Sequence, residues 1–270
     1  MNFCLLFHCV CQSYQEIPDY GQDLFVSLKD MQAMIEELSA RGYTFGPLDA
    51  PGPNNVSIAF DDAYYNNVLF DPLAQSHGIP YMVFVPAYYN LTGEMYPWFT
   101  NNGQDYSDVH LFDYYQRSQQ ESPADDGSEA DWATRPMTFQ ELGDLSRSGL
   151  AEIGCHGYYH QPLSKTFEKY RGQEQDLGMA CLQEQLGITP RYFALANGMY
   201  TKSVVGDLLK TFDKVLTIEG RPHQRNDRLV HRLTLLSPQI AGPLVDQIDR
   251  QLTGLRRVRR AIRTFTKTHW

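Results

Sequence analysis

Short apolar runs alternate with segments of helical periodicity along most of this chain, and that alternation constrains the fold more than any other feature. Residues 3–9, 56–60, 80–85, 151–155, 192–196, 214–218 and 230–235 read as strands. Between them, Ser27 precedes Leu28, Met31, Ile35 and Leu38, spaced for one helical face, and Gly42 stops that helix. Residues 64–75 form a second helical segment. Thr138 and Glu141 make a capping box at the start of a helix ending near Gly149. Further helices are predicted over 167–186, 202–210 and 242–263. Repeated strand–helix units imply a parallel sheet with helices outside it. About seven such units in one chain fit a closed or nearly closed (β/α) barrel, with an open doubly wound sheet as the rival. No GxGxxG opens any helix, so nothing supports a dinucleotide site. The chain reads as a single domain over 1–270.

Composition narrows the partners. With 42% hydrophobic residues, the 270-residue chain has enough apolar material for a large core. The formal charge of −9 argues against nucleic acid, whose phosphates call for a basic surface. No apolar run is long enough for a transmembrane helix. The charge is uneven: Arg250, Arg256, Arg257, Arg259, Arg260, Arg263 and Lys267 crowd residues 250–270, which hold no acid and end a basic C-terminal helix (about 242–270). That tail reads as a solvated helix on an acidic body, or as a peripheral contact to an anionic membrane or a partner. The five cysteines are odd in number and irregularly spaced, which points to buried thiols, not a disulfide framework. The first eleven residues lack the basic start and cleavage site of a signal peptide, so a cytoplasmic location is expected. Oligomeric state is not legible here.

Residues 90–135 break the pattern. They are acidic (Asp105, Asp108, Asp113, Asp125, Asp126 among others) and aromatic (Tyr96, Trp98, Tyr106, Trp132 among others). A loop of this length inside a domain is a functional insertion or a passive one. At a barrel mouth its aromatic rings would form a substrate wall or lid.

In a parallel barrel the reactive groups gather at the C-terminal strand ends. The strand 56–60 ends in Asp61-Asp62. The strand 151–155 ends in His156, with His160 four residues on, so that on one helical turn both imidazoles would reach a single metal. The strand 192–196 ends in Asn197-Gly198, and the first strand carries His8. A carboxylate from another strand completes a His2Asp set with an open position, suited to zinc or a similar divalent ion. The second carboxylate is then free to accept a proton. Asp-Asp alone is commonly a turn, and HxxxH alone is a weak metal signal. Their joint placement at separate strand ends carries the argument.

These residues resemble a known family. Ser57-Ile58-Ala59-Phe60-Asp61-Asp62-Ala63-Tyr64 is similar to the TFDDGY signature of the polysaccharide deacetylases, the NodB-homology or carbohydrate esterase family 4 group. Residues 152–164, with His156, His160 and Pro162-Leu163-Ser164, resemble its IGSHTxxHPxLS motif. Phe193-Ala194-Leu195-Ala196-Asn197-Gly198 resembles FAYPxG, and Leu6-Phe7-His8 a first-strand "YH". The likeness runs from residue 3 to about 235. It implies a distorted (β/α)7 barrel and a metal-dependent hydrolase removing an N-acetyl group from an amino-sugar glycan or glycolipid precursor. It also implies Asp62, His156 and His160 as ligands of a divalent metal, zinc first among them, and Asp61 as catalytic base. Ala63 stands where the family has Gly, and Leu195-Ala196 where it has Tyr-Pro. The late LxH general-acid histidine has no clear match, and Val230-His231-Arg232 falls where some members carry a Pro-Arg pair. His223 lies in a polar loop, and the proton donor is unassigned. A deformylase or amidase acting on a non-carbohydrate amide, or a catalytically weakened glycan-binding barrel, are the alternatives.

Overall fold

Seven of the apolar runs become parallel strands that close on one another. The computed structural model describes residues 2–18, 21–96, 134–163, 172–198, 200–218 and 227–254. In chain order the elements are β1 (Phe3–Phe7), β2 (Cys9–Cys11), β3 (Phe25–Ser27), α1 (Leu28–Ala40), β4 (Thr44–Phe45) and β5 (Asn55–Phe60). Then come α2 (Asp71–His77), β6 (Tyr81–Val85), α3 (Ala87–Thr92), α4 (Phe139–Arg147), β7 (Ala151–Cys155) and α5 (Gly178–Leu186). The chain continues through β8 (Tyr192–Ala194), α6 (Lys202–Thr211), β9 (Lys214–Thr217), β10 (Leu229–Thr234) and the short α7 (Pro238–Ala241). The sheet order β1-β10-β9-β8-β7-β6-β5 is closed by a second pairing of β1, with β5. This is the distorted (β/α)7 barrel. β4 pairs with β5 in addition to the ring, and β2 and β3 make a separate parallel ladder. The distortion shows at β7–β8, where Cys155↔Phe193 is the one pair in register, against five for β6–β7.

Side chains alternate between the two faces of a strand, and this period of two decides what enters the barrel. Cys4, Ala59, Met82, Phe84, Tyr192, Ala194 and Leu216 form one buried cluster, the interior layer. Phe84 fills much of it. Its ring lies where a Cβ on Gly154 would sit, 2.4 Å from the nearest ring carbon, so β7 can face this ring only with glycine there. Below this layer, Asp49 gathers Arg191 at 2.8 Å, Lys214 at 3.0 Å and the Tyr192 hydroxyl at 2.7 Å. Above it, two residues further along β5, β7 and β10, stand Asp61, His156 and Arg232. The outer faces of the strands pack against the helices in the main core, into which α1 sends Met31, Met34, Ile35 and Leu38.

Local signals are realised closely. The Ser27 hydroxyl accepts from Asp30 N at 3.2 Å and starts α1. The Thr138–Glu141 capping box forms in full, and Arg135 ties down Glu141 at 2.6 Å. The differences are instructive. The expected strand over 3–9 is interrupted at His8, because β1 belongs to the barrel and β2 to another ladder. Residues 65–70 are a 3-10 segment before α2, and 173–177 a π turn before α5. Residues 244–254 are helical, with Leu244, Val245, Ile248 and Leu252 buried; the basic residues from Arg256 onward lie outside the described residues. So does most of the 90–135 insertion. Its described flanks are pinned together: Asn90 Nδ2 donates to Met137 O at 2.8 Å, and Met137 N to Ala63 O at 2.9 Å. All five cysteines are buried and unbridged. Among the described residues, no helix is long and apolar enough to cross a membrane.

Two glycine substitutions test this packing in opposite directions. Gly154→Ala drives a methyl group into the Phe84 ring and is expected to destabilise by about 1–3 kcal/mol. Gly206→Ala, inside α6 with open space around its Cβ, is expected to stabilise by about 0.5–1 kcal/mol. Urea unfolding midpoints at unchanged m-values check both.

Candidate functional site

The chain turns sharply where β5 ends, and the turn delivers two adjacent carboxylates to one rim. Asp61 still follows the strand, its N–H donating to Phe7 O at 3.0 Å. Asp62 and Ala63 then take φ of 68° and 50°, two left-handed residues in succession. A non-glycine residue there costs of order 1 kcal/mol, so surrounding contacts must hold it. They do: the Tyr64 hydroxyl donates to Asp62 Oδ2 at 3.0 Å, and the Tyr96 hydroxyl donates to the Asp62 carbonyl. Ala63 accepts this conformation where glycine would be free of strain.

On the facing strand, His156 follows β7 and is anchored through its other ring nitrogen. Nδ1–H donates to Ala194 O across the β7–β8 seam at 2.8 Å, which leaves Nε2 unprotonated and aimed at the carboxylates. That nitrogen lies 3.5 Å from Asp62 Oδ1 and 3.6 Å from Asp61 Oδ2. His160 Nε2 approaches Asp62 Oδ1 at 3.2 Å. Asp62, His156 and His160 thus offer three ligand atoms within 4.8 Å of one another, all buried. The donor set fits a divalent cation of the zinc type: two imidazole nitrogens and one carboxylate oxygen, one imidazole already fixed in the required tautomer.

The segment joining the two histidines is not the helical turn that the i, i+4 spacing predicts. It is a loop, with Gly157 at φ 87° and His160 at φ 60°. The Glu174 carboxylate sits inside it, accepting from the backbone N–H groups of Tyr158 (3.0 Å), Tyr159 (3.1 Å) and Gln161 (3.2 Å). Those donors cannot also make a helical ladder, so the loop curls around the acid instead.

Asp61 is held from the opposite side. Arg232, fully buried on β10, donates from Nη1 to Oδ1 at 2.5 Å and from Nη2 to Oδ2 at 2.8 Å. Burial alone would raise the Asp61 carboxyl, but Arg232 and His156 outweigh it and keep it below the usual carboxylate range. For Asp62, burial is outweighed by His160, His156 and His8, again lowering it. Burial pushes His156 down against the pull of the two aspartates. For His160 the Asp62 charge overcomes burial and raises it. Burial carries Glu174 up to about 7 despite its three donors.

All four residues singled out from sequence therefore meet at one rim, and His8 reaches the same rim directly after β1, where Phe7 O accepts from Asp61 N. His231 does not join them. Its neighbour Arg232 points inward, so alternation turns His231 to the other face of β10. His223 lies outside the described residues. Sequence reasoning missed the Arg232 pairing and the part played by Glu174. An arginine inside the apolar strand Leu229–Thr234 was a readable signal of a buried partner. Nothing local marks Glu174.

No family model matches the sequence, and no curated protein matches it. Solved structures do. IcaB from Ammonifex degensii superposes with a TM-score of 0.62 at 21% identity, over 90% of this chain and 94% of that one. A de-N-acetylase from Aggregatibacter actinomycetemcomitans gives 0.60 at 15% identity, over 87% and 95%. A polysaccharide deacetylase from Bacillus cereus gives 0.59 at 16%, over 87% of this chain, which spans 65% of the Bacillus protein. The chain has the polysaccharide deacetylase fold.

The buried Arg232–Asp61 pair makes a stability prediction. Arg232→Met leaves an unpaired buried carboxylate and is expected to cost about 3–5 kcal/mol. Adding Asp61→Asn should recover a large part of that loss, because the charge that lacked a partner is gone. A double-mutant cycle on thermal or urea unfolding reads the coupling.

Proposed function

We propose that this chain is a metal-dependent hydrolase that removes an N-acetyl group from an amino-sugar glycan. The observation that carries the reading is the convergence of Asp62 Oδ1 and the two Nε2 atoms beside a second, separately held carboxylate. Fold likeness to a de-N-acetylase and to a polysaccharide deacetylase supports the substrate class. Asp62, His156 and His160 would hold a divalent cation, zinc fitting the donors best. When bound, the cation would polarise the amide carbonyl and acidify a water molecule.

The remaining chemistry falls to this chain's own side chains. Asp61 serves as the base. Arg232 takes one lone pair on each of its oxygens, and each oxygen has two, so Oδ2 on the His156 side can still accept a proton. The same arginine keeps Asp61 ionised at neutral pH. The leaving amine needs a proton, and His8 is placed to supply it. Among the described histidines, His156 and His160 are committed to Asp62, His231 faces away, and His77 lies on α2. His8 follows β1 directly after Phe7, whose carbonyl accepts from Asp61 N, and its Nδ1 is buried without a hydrogen-bond partner. Four buried polar groups kept at one rim are costly in a barrel that merely binds, which favours the enzyme over a weakened glycan-binding barrel.

Acetate release from chitooligosaccharides by the metal-loaded protein, with metal content determined in parallel, tests the reading. His156→Ala should lose the cation. Asp61→Asn should keep it and lower kcat by about 10²–10⁴-fold. His8→Asn should also keep the cation and lower kcat by about 10²–10⁴-fold. Stoichiometric metal in His156→Ala, or near-normal kcat in Asp61→Asn, overturns the assignment.

A further inference from the structure

Glu174 is 1% exposed and belongs to no strand of the barrel. Its carboxylate is nevertheless fully engaged. Oε2 accepts from Tyr158 N, Tyr159 N and Gln161 N, and Oε1 from Tyr159 N as well. Two of these residues lie between His156 and His160, and the third follows His160 directly. A short stretch of backbone whose N–H groups converge on one anion has a shape set by that anion.

The surroundings are built to admit the acid. A Cβ on Gly157 would lie 2.4 Å from Glu174 Oε2, and its φ of 87° suits glycine alone. Gly178, at the start of α5, lets that helix press onto the same loop: a Cβ there would meet Gly157 O at 2.9 Å and Cys155 Sγ at 3.0 Å. Glu174 itself rides on the π turn of residues 173–177, a local widening of the helix that commonly marks functional positions. Two glycines and a helix irregularity thus bring one carboxylate into the loop that carries both imidazoles.

We propose that Glu174 is a positioning residue for the metal centre: by gathering the N–H groups of Tyr158, Tyr159 and Gln161 it holds His156 and His160 at the separation one cation requires. The proposal rests on the reading of Asp62, His156 and His160 as a cation site. It gives the π turn and Gly157 a purpose that the hydrolytic chemistry leaves unassigned. Glu174 touches no reacting atom; it acts through the loop.

The test compares full-length wild type with Glu174→Gln and Glu174→Asp. Glutamine keeps the volume and one acceptor oxygen but turns an NH2 group toward the donors. Aspartate keeps the charge but is one methylene short. Circular dichroism and the unfolding midpoint establish that each variant is folded. Hydrogen exchange of metal-free protein reads the amides of 158, 159 and 161. Cobalt(II) titration, followed by its visible absorption and by competition with a chelator, reads affinity and coordination geometry. Glu174→Gln should speed exchange at those amides and weaken cobalt binding by about 10–100-fold, with an altered absorption band. Glu174→Asp should restore part of both. Unchanged exchange overturns the proposal. So does faster exchange with wild-type cobalt affinity and spectrum, which would leave Glu174 a purely structural anchor. If wild type itself takes up no cobalt, the cation site fails and the proposal with it, and that result is distinct from a defect confined to the variants.

Discussion

The bidentate contact between Arg232 and Asp61 is the interaction on which the mouth of this barrel depends. It joins β10 to the end of β5 and places a full positive charge where Asp61, Asp62 and their histidines lie buried side by side. Two adjacent aspartates cannot stay ionised in such a place without compensation, because desolvation alone would protonate them. The guanidinium supplies it for Asp61, and the imidazoles supply it for Asp62. The result is a division between neighbours of identical chemistry. One carboxylate is neutralised by a fixed residue of the chain, the other by groups suited to sharing a cation.

The second half of the site is organised by a different device. His156 stands on the barrel and is aimed by the Ala194 carbonyl at the loosest seam between strands. His160 leaves the barrel and depends on a loop, and loops take their shape from whatever satisfies their backbone groups. Here an internal carboxylate does so. Among the described residues, the two buried acids other than Asp62 thus have opposite partners. Asp61 is met by a side-chain cation across the lumen, and Glu174 by main-chain dipoles under the rim.

The tyrosines complete the enclosure. Tyr64 and Tyr96 hold the strained turn at Asp62 through its carboxylate and its carbonyl. Tyr96 and Thr134 are the described residues that flank the acidic, aromatic insertion, and Tyr65 N donates to Arg135 O at 2.8 Å. The insertion therefore leaves and rejoins the body beside the two aspartates.

Much of this was legible from residue order. The alternation of strand and helix patterns determined a parallel α/β architecture, and the Ser27 and Thr138 caps determined two helix starts, because those signals are local. The placing of Asp61, Asp62, His156 and His160 at strand ends was legible too, since a parallel barrel sends all its strand ends to one rim. Other features belonged to tertiary structure. Whether seven strands closed or lay open depended on β1 finding β5 as well as β10, a pairing no window of sequence contains. The His156–His160 spacing suited a helix by periodicity, yet Glu174, distant in sequence, claimed the N–H groups a helix would have used. Arg232 was visible as an oddity in an apolar strand, but its partner lies 171 residues away. Periodicity and caps are written in neighbouring residues. The partners of buried charges are chosen by which strands close the ring, and only the folded chain decides that.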